Sequence, residues 1–378
     1  MEGTLTDYGD GRFSRRVFLR NAALAVAAGA AASTSPAAPL VAAQRFEARH
    51  YEKLPKDLVR CGLCPWRCVV RPGARGRCGV RENRNGRYYT LVYGKPVALN
   101  NDPIEKKPFF HVYPASKSLS IATVGCNMHC KFCQNWDISQ TLPEKVHPPF
   151  RPPDEIVKLA QRYGSKTIAY TYSEPTIFFE YMMDCAAVAK EAGIGNVMVS
   201  NGFISKRPLA ELCEVMTAVK VDFKAFSQQF YADVCEGLME PVKSTLKRLA
   251  ESGVWFEIVV LIIPTLNDGK DEIKRMAAWI AAELGPDVPL HFTRFHPSYK
   301  MKNLPPTPPR TLAMARATAM AEGCRFVYTG NMPGGKGEST YCPSCGERVI
   351  DRYGFTIMKN RLKKGACPKC KTPIPGVW

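Results

Sequence analysis

Short apolar runs alternate with longer amphipathic stretches along most of the chain, and this pattern predicts alternating strands and helices. The runs that predict strands lie at 118–124, 167–172, 196–200, 219–223, 254–263, 289–294 and 325–328. Apolar residues at helical spacing predict helices at 153–163, 176–192, 208–218, 242–252, 271–284 and 311–322. Such alternation is typical of βαβ units around a parallel sheet. The units are too few for a closed eight-stranded barrel, so we expect an α/β fold with an open, partial (β/α)6 TIM-like barrel.

The remaining pattern divides the chain into four parts. We predict a tail, an N-terminal cysteine-rich segment, the barrel and a compact C-terminal cysteine module, at residues 1–45, 46–115, 116–330 and 338–378. In parallel sheets of this kind, ligands bind beyond the carboxyl ends of the strands. Polar residues that directly follow the predicted strands are therefore the first candidates for chemistry.

The chain is strongly basic. It has 52 Lys and Arg against 34 Asp and Glu, a formal net charge of +18. Such a charge attracts anionic partners through the summed field. The basic residues are scattered from end to end, without the aromatic-interleaved basic block of an RNA-binding platform. We therefore expect a basic enzyme surface and do not favour nucleic acid as a partner.

Most of the 15 cysteines fall into three clusters, at positions 61/64/68/78, 126/130/133 and 342/345/367/370. Gaps of two or three residues are typical of metal ligands rather than of disulfides. The remaining cysteines stand singly in apolar stretches and are predicted to be small core residues: Cys185, Cys213, Cys235 and Cys324.

The central cluster, Cys126, Cys130 and Cys133, has the spacing C-x3-C-x2-C and follows the predicted strand at 118–124. Three thiolates bind three irons of a [4Fe–4S] cluster, which usually takes four cysteines, so one iron stays open to a small molecule. A zinc site with a fourth ligand elsewhere is the alternative, but zinc sites prefer C-x2-C pairs.

This motif, with the aromatic Phe132 before its last cysteine, resembles the signature of the radical S-adenosylmethionine (SAM) superfamily. It is similar to the branch of glycyl-radical activating enzymes, such as pyruvate formate-lyase activase. From about residue 58 onward, the chain resembles the AmmeMemoRadiSam-system radical SAM family more closely. The segments that carry the resemblance are residues 61–65, 102–108, 132–136, 172–176 and 374–376.

The resemblance implies an enzyme with a [4Fe–4S] cluster and SAM as cofactors. In that superfamily, SAM is cleaved reductively to a 5′-deoxyadenosyl radical that abstracts a substrate hydrogen. It also implies an electron donor such as flavodoxin or ferredoxin, MEMO-like and AMMECR-like proteins as partners, and a protein or small molecule as substrate.

The resemblance further implies which side chains hold SAM. Glu174 stands where the superfamily usually has Gly-Gly-Glu, although both glycines are missing here, and Lys224 is expected to meet the SAM carboxylate. The other expected contacts are Phe132, Asn135, Ser200, Asn201, Asp222 and His291. Structural roles are the alternatives: a helix start for Glu174, a turn at Asn201, an exposed Asp222–Lys224 pair and a core His291.

The two outer cysteine clusters predict further metal sites. Two C-x2-C knuckles, Cys342/Cys345 and Cys367/Cys370, complete a tetrahedral site typical of a zinc ribbon. The N-terminal set, Cys61, Cys64, Cys68 and Cys78, suits either zinc or an auxiliary iron–sulfur cluster. Its spacing does not decide between them, and zinc is slightly favoured.

The tail has the features of a twin-arginine export signal. Residues 14–20 read Ser-Arg-Arg-Val-Phe-Leu-Arg, residues 22–32 are apolar, and residues 41–43 suit cleavage before Gln44. The apolar run is too short for a transmembrane anchor. A basic, amphipathic or disordered tail is the alternative. Because SAM and low-potential reductants are cytoplasmic, we expect cytoplasmic assembly and leave export open.

Two other functions remain open. Radical modification of RNA fits the net charge, and a non-enzymatic iron–sulfur or zinc scaffold or sensor fits the cysteines. A scaffold does not explain polar loops at successive strand ends, and no dedicated RNA-binding domain is evident.

Overall fold

The computed structural model describes residues 45–332 and 334–378. Its strands are β1 Phe46–Glu47, β2 Tyr51–Lys53, β3 Val59–Cys61, β4 Val69–Val70, β5 Arg81–Arg84, β6 Arg87–Thr90, β7 Ala98–Pro103, β8 Lys117–Ala122, β9 Thr167–Tyr170, β10 Gly195–Ser200, β11 Ala218–Asp222, β12 Trp255–Ile262, β13 Leu290–Arg294, β14 Val327–Gly330, β15 Thr340–Tyr341, β16 Arg348–Tyr353 and β17 Thr356–Asn360.

The α-helices are α1 Trp136–Ser139, α2 Pro153–Arg162, α3 Phe179–Glu191, α4 Lys206–Cys213, α5 Gln228–Phe230, α6 Met239–Ser252, α7 Lys270–Glu283 and α8 Pro309–Ala321. Short 3-10 turns lie at Ile104–Lys106, Pro143–Lys145, Pro175–Phe178 and Lys336–Glu338, and a π-helical turn at Tyr231–Cys235.

The central sheet has eight strands in the order β14-β13-β12-β11-β10-β9-β8-β7. Strands β8 to β14 pair in parallel, and β7 is antiparallel to β8. The two edge strands, β7 and β14, are at opposite ends of this order. The predicted α/β fold with an open, partial barrel is therefore confirmed, with each predicted strand and helix present within a few residues.

Burial explains why the parallel strands are so apolar. All four residues of β9 are buried, because helices cover the outer face of the sheet and side chains fill the inner face. The helices turn one apolar face toward the sheet, as α2 does with Ile156, Val157 and Ala160.

One predicted connection is wrong. The polar residues 100–107 predict a link, but residues 100–103 form most of β7. This strand pairs with β8 from Ala98 opposite Ala122 to Pro103 opposite Lys117. An edge strand needs partners on one side only, so it tolerates polar side chains and a terminal proline.

The N-terminal cysteine-rich segment forms two small antiparallel sheets, β1-β6-β5 and β2-β3-β4. Its apolar residues, such as Val59, Val80 and Tyr88, belong to the same buried cluster as the barrel. The C-terminal module contains the sheet β15-β16-β17 and has its own small core around Val349 and Ile350.

Residues 1–44, which hold the predicted export signal, lie outside the described residues. Among the residues that are described, none of the helices combines the length and apolar character needed to span a bilayer.

Candidate functional site

A cavity of about 560 Å³ opens at the carboxyl ends of the parallel strands. Its size is in the range of small-molecule sites. The structure brings the predicted residues together here: Cys126, Cys130, Phe132, Cys133, Asn135, Glu174, Ser200, Asn201, Asp222, Lys224 and His291 all line this cavity. Their convergence follows from parallel pairing, because strands in register present their following loops at one edge.

The three-cysteine loop follows β8 and has a fixed backbone. His129 N donates to Cys235 O at 3.0 Å, and Lys131 N donates to Val234 O at 2.9 Å. Gly125, just before the loop, has φ +97° and a Cβ there would lie 2.5 Å from Val80 Cγ1. The loop is thus held between the π-helical turn on one side and the N-terminal segment on the other.

The donor set of this loop fits an iron–sulfur cluster better than a single ion. Zinc needs sulfur ligands about 2.3 Å from the metal, and hence close to one another. In residues 45–332 and 334–378, the C-terminal cysteine set alone has three or more potential ligand atoms within 4.8 Å of each other. The sulfurs of Cys126, Cys130 and Cys133 are therefore not all within 4.8 Å of one another, which is wider than a single zinc ion needs. Phe132, within this loop, is buried.

Glu174 lies on the loop after β9 and is almost fully buried. Its Oε1 accepts from Ser200 Oγ at 2.8 Å and from Thr176 N at 3.0 Å, and its Oε2 accepts from Asn201 N at 2.8 Å. Burial raises the pKa of this carboxyl, while the three donors oppose the rise. A carboxylate has about four acceptor positions, so one remains for a cationic ligand such as an ammonium.

Ser200 is the last residue of β10, and Asn201 follows it. Both side chains are hydrogen-bonded within the protein. Asn201 Nδ2 donates to Asn127 Oδ1 at 2.8 Å, and Asn201 Oδ1 accepts from Phe203 N at 2.9 Å. The carbonyl and amide of Asn201 therefore fix the turn beside Cys126. Both residues line the cavity, but their side chains are hydrogen-bonded within the protein and so shape the cavity wall.

Asp222 ends β11, and Lys224 follows it by two residues. They form an ion pair, with Lys224 Nζ 2.6 Å from Asp222 Oδ2. Burial disfavours the charge on Lys224, but the negative charges of the Asp222 carboxylate and a Cys130 thiolate outweigh it and raise the lysine pKa. The ammonium lies 5.8 Å from the centre of the Phe132 ring. The Lys224 side chain is 12% exposed and that of Asp222 is 33% exposed. Because its pKa is raised, Lys224 places a cation beside the three cysteines.

Asn135 holds the other side of the cysteine loop. Its Nδ2 donates to Tyr172 O at 2.9 Å, and Tyr172 adopts a left-handed backbone with φ +64°. That conformation is uncommon for a bulky residue and is maintained here by surrounding contacts. The contact joins the cysteine loop to the loop that carries Glu174.

Sequence reasoning missed a second polar group at this cavity. Lys107 is buried beneath Tyr172, with its Nζ 4.3 Å from the ring centre, and it pairs with Asp102. The Tyr172 hydroxyl also donates to Asp102. Burial lowers the pKa of Lys107 to about 8, against the opposing effect of Asp102. The sequence signal for this group was the segment 102–108, which supports the family resemblance but had no role assigned to it.

His291 lies on the floor of the cavity in a charged layer. Its Nε2 donates to Glu257 Oε2 at 2.7 Å, and Lys220 Nζ lies 3.4 Å from the same oxygen. Glu257 also accepts from the backbone N–H groups of Phe110 and His111. Burial, aided by the charge of Lys220, lowers the pKa of His291 to about 3. The imidazole is therefore neutral and engaged within the protein.

The C-terminal cysteines converge as two knuckles. Cys342 Sγ lies 3.4 Å from Cys370 Sγ, and Cys345 Sγ lies 3.7 Å from Cys367 Sγ. Sulfurs at this separation match a single tetrahedral ion. Arg352 connects the module to the barrel, because its Nη2 donates to Phe110 O at 2.6 Å.

Comparisons with known proteins agree with this site. The model of the radical SAM superfamily matches residues 120–280. Uncharacterized protein MJ0808 of Methanocaldococcus jannaschii is 47% identical over 332 residues, which cover 87% of this chain and 98% of that protein. Uncharacterized protein MJ0674 of the same organism is 26% identical over 257 residues, covering 65% of this chain and 68% of that protein.

Solved structures with a similar fold include a radical SAM methyltransferase from Sphaerobacter thermophilus, with TM-score 0.47, 14% identity and coverage of 58% of this chain and 68% of that one. A domain of pyruvate-formate lyase-activating enzyme from Bacteroides vulgatus has TM-score 0.40 and 14% identity, covering 44% of this chain and 99% of that one.

The chain belongs to the radical SAM superfamily. Membership implies an enzyme that uses a [4Fe–4S] cluster and SAM. The three-cysteine loop and the cavity beside it have the donors that this pair of cofactors needs.

Proposed function

We propose that this chain is a radical SAM enzyme of the AmmeMemoRadiSam-system type, which abstracts a hydrogen atom from a C–H bond of a protein or small-molecule substrate. One observation carries the proposal: three cysteines with cluster-type spacing share a single cavity with a buried carboxylate, Glu174, and a buried ammonium, Lys224. When bound, the cluster supplies the electron that cleaves SAM to methionine and a 5′-deoxyadenosyl radical.

The chain's own groups complement the amino acid end of SAM. Cys126, Cys130 and Cys133 would hold three irons of the cluster and leave the fourth iron without a cysteine ligand, open to SAM. Glu174 offers its remaining acceptor position to the SAM ammonium, and Lys224 offers a cation to the SAM carboxylate. The two charged groups stand at the ends of different strands, which fixes the orientation of the ligand between them.

The charged floor supports the reaction by excluding water. Lys220, Glu257 and His291 are fully or almost fully buried and bonded to one another, so they close the barrel beneath the cavity. A dry pocket protects a carbon radical from side reactions.

The net charge of +18 favours a small acidic one-electron carrier, such as flavodoxin or ferredoxin, as the electron donor. The resemblance also makes MEMO-like and AMMECR-like proteins candidates for substrate or partner. We further propose zinc for the C-terminal cysteines, in a structural role, and cytoplasmic assembly with twin-arginine export as an option carried by residues 14–20.

Anaerobic reconstitution with iron and sulfide, followed by dithionite and SAM, tests the proposal. We expect 5′-deoxyadenosine by chromatography and its loss in Cys130→Ala. The matched control is Cys213→Ala, a partly exposed cysteine outside the three clusters, which should keep full product. A reducible [4Fe–4S] signal that is lost in Cys130→Ala, without any formation of 5′-deoxyadenosine in the unchanged chain, would contradict the proposal.

The class of substrate needs a separate experiment. Deuterium-labelled protein, RNA and metabolite pools are offered in turn, and deuterium in 5′-deoxyadenosine identifies the pool that donates hydrogen. Transfer from RNA alone would favour the RNA-modification alternative over the proposed substrate classes.

A further inference from the structure

The four N-terminal cysteines line one small cavity of their own. Cys61 ends β3, Cys64 and Cys68 lie in the loop between β3 and β4, and Cys78 precedes β5. The strand end and the loop are joined by a backbone bond from Cys61 N to Cys68 O at 2.9 Å. All four side chains line the cavity together. Folding of this segment therefore collects the four thiols in one place, apart from the SAM cavity.

Two buried donors at this cavity lack partners. Arg81 Nη1 and Tyr88 Oη are buried and have no hydrogen-bond partner in the protein. The rest of the Arg81 guanidinium is engaged, with Nη2 paired to Glu180 and Nε donating to Ile177 O. An unpaired buried donor costs about 1–3 kcal/mol, so two beside the same cavity point to an acceptor that belongs there.

Gly76 keeps the cavity open. Its backbone φ is not in the left-handed region, so glycine is not required by conformation. A Cβ at this position would lie 2.7 Å from Tyr88 Oη and 3.9 Å from Cys68 Sγ. The missing side chain thus leaves space between the tyrosine hydroxyl and the thiols, where an acceptor can approach.

The spacing of the four thiols separates a cluster from a single ion. Zinc–sulfur bonds of about 2.3 Å bring tetrahedral sulfurs to about 4 Å of each other. The C-terminal cysteines have this arrangement, but within the described residues 45–332 and 334–378 no three of the N-terminal cysteines do. A cubane of four irons and four sulfides occupies a larger volume and also presents sulfide acceptors to the surrounding donors.

We propose that Cys61, Cys64, Cys68 and Cys78 hold a second [4Fe–4S] cluster, to which Arg81 and Tyr88 donate hydrogen bonds. This assignment replaces the slight preference for zinc that the spacing alone suggested. Four thiolates occupy all four irons, so this cluster has no open position for SAM and differs in that respect from the cluster at the three-cysteine loop.

The proposed second cluster site adjoins the three-cysteine loop. Trp66, which lines the N-terminal cavity, donates from Nε1 to Asn127 O at 2.8 Å, and Asn127 follows Cys126. A Cβ on Gly125 would lie 3.0 Å from Cys78 O. Residues 125–127, which include Cys126 of the first set, therefore lie against the segment that carries the N-terminal cysteines.

The test uses the full chain, reconstituted anaerobically with iron and sulfide, with Cys126, Cys130 and Cys133 all replaced by Ala. We expect about four irons and four sulfides per chain to remain, with a dithionite-reducible signal in electron paramagnetic resonance that SAM does not change. Further replacement of Cys61, Cys64, Cys68 and Cys78 by Ala should remove this iron. No iron in the first variant, together with zinc bound at the N-terminal set, would overturn the proposal.

Tyr88→Phe provides a test that is less disruptive to folding. Loss of a hydrogen bond to a cluster sulfur should shift the midpoint potential of the second cluster to lower values, without loss of iron. The matched control is Tyr89→Phe, the next residue on β6, which does not line the cavity. An unchanged potential in Tyr88→Phe would contradict the donor role. These experiments measure iron content and midpoint potential, so they test the second cluster even if no 5′-deoxyadenosine is formed.

Discussion

The Ser200 hydroxyl donates to the Glu174 carboxylate at 2.8 Å and so joins the end of β10 to the loop after β9. Both oxygens of Glu174 accept from protein donors, one of them twice. The same carboxylate therefore orders the rim of the cavity and presents its remaining acceptor position to the ligand.

Replacement of Glu174 by Gln should impair both tasks. In either orientation the amide NH₂ faces an N–H donor, from Thr176 or from Asn201, so we expect a loss of about 1–3 kcal/mol in the free energy of unfolding. SAM affinity should fall at least about tenfold, since a charged acceptor is lost. Urea unfolding and calorimetric SAM titration measure the two effects. Glu283→Gln, an exposed glutamate paired with Lys247, is the control and should change neither.

Lys224→Met should weaken SAM binding without removing the cluster. We expect the KM for SAM to rise about 10- to 100-fold, because a buried charge-assisted contact contributes about 1.5–3 kcal/mol. Initial rates of 5′-deoxyadenosine formation across SAM concentrations give KM and kcat separately. Lys274→Met, an exposed lysine on α7, should leave both constants unchanged. An unchanged KM in Lys224→Met would exclude the proposed contact.

The buried histidines in the floor of the barrel should make the protein less stable in acid. The pKa of His291 is lowered to about 3 and that of His111 to about 4, in both cases mainly by burial. Unfolded histidine titrates near 6.5, so below that pH the unfolded chain binds protons that the folded chain does not, and the free energy of unfolding falls. The slope approaches about 1.4 kcal/mol per pH unit for each histidine.

Urea unfolding between pH 5.5 and 7.5 measures this slope. His291→Gln should make the dependence shallower, because one buried histidine with a lowered pKa is gone. An equal slope in wild type and His291→Gln would show that His291 titrates alike in both states.

Loss of one C-terminal cysteine should remove the proposed zinc and destabilise the C-terminal module. Cys342→Ser should lower the zinc content by about one atom per chain, since two knuckles share one ion. We also expect faster proteolysis within residues 338–378, because a segment this small depends on its metal for folding. Cys324→Ala, a buried single cysteine, is the control for zinc content. Unchanged zinc in Cys342→Ser would argue against the assignment.

The strands and the cysteine loop could be predicted because their signals are local. Apolar runs bounded by polar residues define β8 to β14, and the carboxyl ends of parallel strands meet at one edge, so Glu174, Ser200 and Lys224 were expected near Cys126. The edge strand β7 was not predicted, because Asn100, Asn101 and Asp102 have no apolar signal. Polar strands of this kind are recognised only by their partner.

The charged floor was also beyond prediction from the sequence. Glu257 stands in the apolar strand β12 and Lys220 in the apolar strand β11, and each alone is unexplained. Their relationship is set by register, which places Lys220 directly opposite Glu257. The proposed donor roles of Arg81 and Tyr88 were equally impossible to predict from the sequence, since no spacing rule connects β5 and β6 to the four N-terminal cysteines.

The underside of the barrel is sealed by two segments far apart in the sequence. Val377 N donates to His111 O at 2.7 Å, and Tyr113 N donates to Val377 O at 2.8 Å. On a ribosome, residues 109–113 emerge long before residues 375–378, and a contact between such distant segments carries a large loop-closure cost. The lower face of the barrel is therefore covered only after residues 375–378 have been synthesised, well after the strands that it closes.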